Sequence, residues 1–222
     1  MPSFVSRTPR WLPFAIAAVT ALLLGGFTWV SLRAVPPAAP SVGEAVTLLR
    51  VPLPIPDFEL TDHRGAIFDA GRLRGRWSFL FFGYTFCPSI CPNTLGTLRT
   101  VNELLEASEE ALADVQFVFV SVDPERDTPE RLAQFVPYFH PDFIGATGRP
   151  EELEHLAKAL GIYHARSDET PVDARDYLVD HTSAILLVDP RAQLHAVYSH
   201  PDEPEAIARS FEKIRRLDEE RG

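Results

Sequence analysis

Cysteine is scarce in this chain and methionine scarcer: two cysteines, and one methionine, at position 1. Two thiols are too few for an iron–sulfur cluster, and a domain this long has core enough to need no disulfide framework. A lone initiator methionine removes thioether ligands from consideration. A basic surplus is missing too. The net charge is −10; the stretch before Glu44 carries +3 (Arg7, Arg10 and Arg33, no acid), which leaves −13 for the rest. Such an acidic domain argues against nucleic acid, whose phosphates demand a basic face. It suits a cationic partner or a metal ion, and equally well simple solubility.

Charge is absent altogether from Trp11 to Leu32, 22 residues. A helix of ~20 apolar residues spans a bilayer, so residues 1–33 read as a cytoplasmic stub and a single N-terminal transmembrane helix. Trp11 and Trp29 fall near the two interfaces, and Arg7 and Arg10 ahead of the run keep the N-terminus inside. The C-terminal domain is then sent across the membrane. A cleaved secretory signal is the rival reading, but its apolar core is normally ~7–15 residues. Residues 34–56 hold Pro36, Pro37, Pro40, Pro52, Pro54 and Pro56 and read as a stiff, extended linker. The globular domain is expected over 57–222.

Within that domain no repeat or low-complexity tract occurs. Phe58–Phe68 alternates around Asp62–Gly65 and predicts a hairpin. WSFLFFGY (77–84) and VQFVFVSV (115–122) predict strands buried on both faces. A helix is expected from about Cys91 to Ala113, with Leu95, Leu98, Val101, Leu104, Leu105 and Leu112 along one stripe. Asp127 or Thr128 caps a helix that begins at Pro129 and runs to about Phe139. Further elements are a short strand at 143–146, a helix over 150–160 stopped by Gly161, strands at 183–188 and 194–199, and a last helix over 203–216. The alternation predicts an α/β class with a partly parallel sheet. The order is thioredoxin-like, in its peroxiredoxin-like variant, with an N-terminal hairpin.

Both cysteines lie in Phe86-Cys87-Pro88-Ser89-Ile90-Cys91-Pro92, where a buried strand meets a helix N-terminus. That position favours thiolate over thiol. The spacer is three residues, whereas the redox hallmark of thioredoxins is two. A short disulfide, a redox couple and a metal clamp are the readings open to such a pair. A clamp needs a ligand from elsewhere, and histidines 63, 140, 155, 164, 181, 195 and 200 are the candidates. His181 ends a polar loop directly before a buried strand, where a thioredoxin would carry its loop proline; no proline occurs between Pro171 and Pro190. His140 ranks second. Two thiolates with an imidazole suit copper, Cu(I) above all, while zinc would want a fourth ligand.

Three blocks, GYTFCPSICP (83–92), SVDPERDTP (121–129) and YLVDHT (177–182), resemble the Sco/SenC family of copper-binding cytochrome c oxidase assembly factors, over roughly residues 50–216. The resemblance implies a thioredoxin-like fold that binds Cu(I) or Cu(II) through Cys87, Cys91 and His181. It implies delivery of copper to the CuA site of oxidase subunit II, or reduction of that site's cysteines. The anchor resembles that of bacterial members, which implies a single pass of the inner membrane with the domain in the periplasm. Ser89 stands where the family often has an acid. A copper metallochaperone is therefore the first expectation, and a thiol-disulfide oxidoreductase acting through Cys87 and Cys91 the second. A peroxiredoxin-like peroxidase fits poorly, because Thr85 stands two residues before the cysteine rather than three.

Overall fold

The computed structural model describes residues 20, 46–108, 114–167, 177–199 and 203–220. The expected membrane span lies outside the described residues, Thr20 excepted. Among the described residues no helix is long and apolar enough to cross a membrane.

The chain enters on β1 (Val46–Pro54), followed by the hairpin β2 (Glu59–Asp62) and β3 (Ile67–Asp69). Then come β4 (Trp77–Gly83), α1 (Ile90–Glu106), β5 (Val115–Ser121), α2 (Pro129–Phe135), β6 (Ile144–Thr147) and α3 (Pro150–Ala159). A small pair, β7 (His164–Arg166) and β8 (Val179–His181), leads to β9 (Ile185–Val188), β10 (Gln193–Tyr198) and α4 (Pro204–Glu219). The main sheet has the order β1-β10-β9-β4-β5-β6-β2-β3. β4, β5 and β6 run parallel, and every other pairing is antiparallel. This is the mixed α/β, thioredoxin-like arrangement that the element order predicted.

The two runs with no polar face become the central strands. β4 is buried at every position, and β5 at all but its first. Aromatic rings from neighbouring strands stack across them: Phe79 on Phe117 and Phe117 on Phe143, each at 5.0 Å between centroids. Such pairs contribute about 0.5–1.5 kcal/mol each beyond the area they bury. α1 packs against α4, whose Phe211 meets Trp77 edge-on at 5.7 Å.

The C-terminal part of the expected linker is strand instead, and 34–45 lies outside the described residues. Residues 46–54 form β1, paired antiparallel with β10, and Ile55 N–H donates to the Ala192 carbonyl at 3.0 Å. Pro52 and Pro54 are tolerated because β1 is an edge strand, where an absent N–H need cost no ladder bond. Pro52 falls in the register irregularity between Leu48 and Leu53. The helix expected to reach Phe139 is α-helical only to Phe135 and continues as a 3-10 turn over Val136–Tyr138, since Pro137 has no N–H to donate to the Ala133 carbonyl. The expected C-terminal end of α1 near Ala113 gives way to Glu106; residues 109–113 lie outside the described residues.

Because β4 and β5 are parallel, the loops that follow them leave the same edge of the sheet. In an open α/β sheet this edge is where ligands bind. One loop carries Cys87, the other Asp123 to Asp127.

Candidate metal centre

After β4 the backbone turns, with Cys87 N–H donating to the Tyr84 carbonyl at 3.2 Å, and α1 starts three residues later. Ser89 occupies the N-cap position, yet its side chain makes no capping bond. The sulfur of Cys87 takes that part: the Cys91 N–H donates to Cys87 Sγ at 3.4 Å. A helix N-terminus offers unpaired N–H groups and partial positive charge, both of which favour a thiolate. Cys87 is half-buried and Cys91 fully buried, and both are free thiols.

Cys91 can sit so deep because Gly83 ends β4 without a side chain. A Cβ there would lie 2.7 Å from Cys91 Sγ and 2.8 Å from Phe119 Cε2. The close approach of backbone to sulfur therefore demands glycine at this strand end.

His181 ends β8, 90 residues from Cys91 in the chain, and its Nε2 lies 3.4 Å from Cys91 Sγ. Nδ1 lies 3.1 Å from the Thr182 carbonyl. A carbonyl only accepts, so Nδ1 carries the proton and Nε2 presents its lone pair. Phe81 and Tyr84 stand edge-on to the ring at 6.2 and 5.8 Å.

The two sulfurs are electrostatically unequal. A hydrogen bond from the Cys91 thiol holds Cys87 well below the usual thiol range; burial opposes this, and the Cys91 and Ser89 amides support it. The same bond, with burial, pushes Cys91 up. Of the two sulfurs, Cys87 is therefore the readier to ionise. Two Sγ and one imidazole nitrogen lie within 4.8 Å of one another, and among the described residues no carboxylate joins the group. This soft three-donor set fits Cu(I) and lacks the fourth ligand of a structural zinc site.

The structure thus brings Cys87, Cys91 and His181 together. His140, the second candidate, stands elsewhere, 3.3 Å from Asn102 Nδ2 and accepting from the Asp142 amide. His164 lies opposite His181 across β7 and β8 but pairs with Glu154 at 3.1 Å.

The loop after β5 reaches the cysteine loop. Thr128 alone caps α2, accepting from Arg131 N–H at 3.3 Å. Asp127, the alternative cap, turns inward instead. It accepts from the Thr85 amide (3.0 Å), the Thr85 hydroxyl (2.6 Å) and Ser121 Oγ (2.7 Å). Fully buried, it fixes the backbone two residues ahead of Cys87. Burial pushes its carboxyl up, and these hydrogen bonds oppose the shift. Asp123 accepts from Tyr177 Oη and pairs with Arg126 Nε. The acids of this loop were visible in the sequence; their partners depend on which loops the parallel pairing sets side by side.

Fold and site together define a thioredoxin-like domain with a two-cysteine, one-histidine donor set at the carboxyl edge of its parallel strands. The SCO1/SenC family model matches residues 52–216, and the chain belongs to that family. It is 37% identical over 198 residues to "Protein SCO2 homolog, mitochondrial" of Bos taurus (88% of this chain, 73% of that one). It is 39% identical over 167 residues to a "Putative copper-binding protein" of Stutzerimonas stutzeri (75% and 78%). Among solved structures, Arabidopsis thaliana ScoI with copper bound superposes with a TM-score of 0.66 at 33% identity, over 73% of this chain and 98% of that one.

Proposed function

We propose that this protein is a copper metallochaperone that carries one copper ion on Cys87, Cys91 and His181 and supports assembly of the CuA site in cytochrome c oxidase subunit II. The observation that carries the reading is the convergence of two sulfurs and a lone-pair Nε2 within 4.8 Å, at a surface-facing loop. Copper is cargo here. The half-buried Cys87 and His181 are the donors within reach of a partner, while Cys91 is fully buried. A three-donor site leaves coordination room for an incoming ligand, so transfer by ligand exchange needs no unfolding. The copper-bound Arabidopsis structure and the Stutzerimonas relative support the choice of metal.

The uncharged run from Trp11 to Leu32 supports an anchored protein, with the N-terminus in the cytoplasm and the domain on the periplasmic face of a bacterial inner membrane. Cell fractionation with protease accessibility of spheroplasts tests this placement. Recovery of the domain in the cytosol rejects it.

A second reading is favoured by the apo pair itself. The half-buried Cys87 sulfur is the more readily ionised of the two, with the Cys91 sulfur beside it. Such a pair can reduce a partner disulfide: Cys87 attacks, Cys91 displaces the partner, and the products are a Cys87–Cys91 disulfide and two partner thiols. Oxidase assembly in strains carrying His181→Ala or Cys87→Ser separates the two. Loss of CuA in both is expected for the chaperone; CuA that survives His181→Ala but not Cys87→Ser rejects it for the reductase.

A further inference from the structure

We propose that Arg126 is the positioning residue that holds the histidine-bearing segment against the cysteine loop; this rests on the copper-site reading above. Arg126 belongs to neither segment. It stands in the loop after β5, and its side chain is 13% exposed. Its guanidinium carbon lies 3.5 Å from the ring centroid of Tyr177, 4.7 Å from that of Phe86 and 5.7 Å from that of Tyr84. Each ring adjoins a ligand. Phe86 precedes Cys87, Tyr177 opens the stretch that ends in His181, and Tyr84 stands edge-on to the His181 ring.

The guanidinium is itself held. Asp123 pairs with Arg126 Nε through one carboxylate oxygen and accepts the Tyr177 hydroxyl on the other. Two further cations touch the same rings: Arg166 lies 4.1 Å from the Tyr177 centroid and Arg131 5.1 Å from that of Phe86. Each of these meets one ring of the set, whereas Arg126 meets all three. A planar cation is attracted to the faces of several rings at once. Among the described residues β8 has three residues and pairs with β7 rather than with the main sheet. That ladder and the Thr182 amide bond to the Tyr163 carbonyl fix the backbone of the stretch; the aromatic clamp on Arg126 adds the side-chain tie between it and the cysteine loop, and Asp123 orients the clamp.

The test uses the full-length chain, reduced and metal-free, as wild type, Arg126→Ala, Arg126→Lys, Tyr177→Leu and the Arg126→Ala/Tyr177→Leu double variant. Two quantities are read: amide hydrogen exchange in residues 177–182, and Cu(I) affinity by competition with a chromophoric chelator. Arg126→Ala is expected to speed exchange in 177–182 while β4 and β9 stay protected. It should weaken copper binding about 10–100-fold, the range for residues that orient metal ligands. Arg126→Lys should fall between it and wild type, because it keeps the charge and loses the plane. The double variant should lose less than the sum of the two singles, since both remove the shared Arg126–Tyr177 contact. Exchange and affinity within about twofold of wild type in Arg126→Ala overturn the proposal, and so do additive losses or exchange that rises evenly through the domain. A wild-type chain that binds no copper defeats the functional reading instead, and the exchange pattern still decides the role of Arg126.

Discussion

Among the described residues two groups of metal-capable side chains lie at opposite ends of β4, and they differ in chemical character. At the end beside Gly83 stand Cys87, Cys91 and His181; at the end beside Trp77 stand Asp189, His195 and Asp218. A seven-residue strand separates them by about 20 Å, at ~3.3 Å per residue. Both triads bring three potential donor atoms within 4.8 Å. The second already contains its cation. Arg191 reaches Asp189 at 2.7 Å and Asp218 at 2.6 Å and ties the β9–β10 turn to α4. Its donors are hard carboxylates neutralised by a guanidinium, so it reads as a structural knot. The cysteine triad has soft donors, no cation among them and a half-exposed sulfur. Proximity of ligand atoms alone does not separate the two; donor softness and internal neutralisation do.

Exchanging the roles experimentally tests that contrast. The largest effect belongs to the ligands themselves. Cys91→Ser is expected to weaken Cu(I) binding by more than about 100-fold, beyond the usual loss for residues that merely orient ligands. His195→Ala should leave copper affinity unchanged in the same chelator competition. Next comes Gly83→Ala, whose added Cβ collides with Cys91 Sγ. Overpacking of this kind costs about 1–3 kcal/mol, and here copper affinity should fall along with the denaturation midpoint.

Asp189→Asn reverses the pattern, lowering stability by about 2 kcal/mol with copper affinity intact. Its pH dependence has a definite sign. Burial alone would raise the Asp189 carboxyl, but hydrogen bonds from His195, Arg191 and the Gln193 and Arg191 amides outweigh it and hold the group low. The contribution is therefore full above the unfolded value of about 3.9 and is lost as pH falls through the lower folded value. Urea midpoints of wild type and Asp189→Asn should converge on acidification below about pH 4; a gap that persists unchanged would point to another origin. The smallest effect is Thr128→Ala, about 1 kcal/mol for the lost cap, read by thermal melting, with little change at the cysteine end.

The same contrast explains how much of the molecule was legible beforehand. β4, β5, the 59–69 hairpin and the Thr128-Pro129 helix start are written in short stretches of sequence, and all appear in the structure. The cysteine pair at a strand–helix junction was equally local. β1 was misread because its prolines carry a linker signal, and only the edge position in the sheet removes their penalty. Asp127 was misread because Thr85 lies 42 residues away in the chain, and the two meet only once β4 and β5 pair in parallel. Arg126 was invisible for the same reason: its rings come from two separate segments. His181 stood out among seven histidines by its place before a buried strand, but its contact with Cys91 depends on the β7–β8 pair, which periodicity does not reveal.

The central claim is that copper is held by two sulfurs and the Nε2 of His181. The most direct measurement is the metal's first shell by X-ray absorption, with the reduced full-length chain loaded with Cu(I), wild type beside His181→Ala. The account predicts one copper per wild-type chain with two sulfur neighbours and one imidazole nitrogen, and loss of that nitrogen in the variant. No stoichiometric binding at neutral pH, or an identical first shell in both proteins, would contradict it.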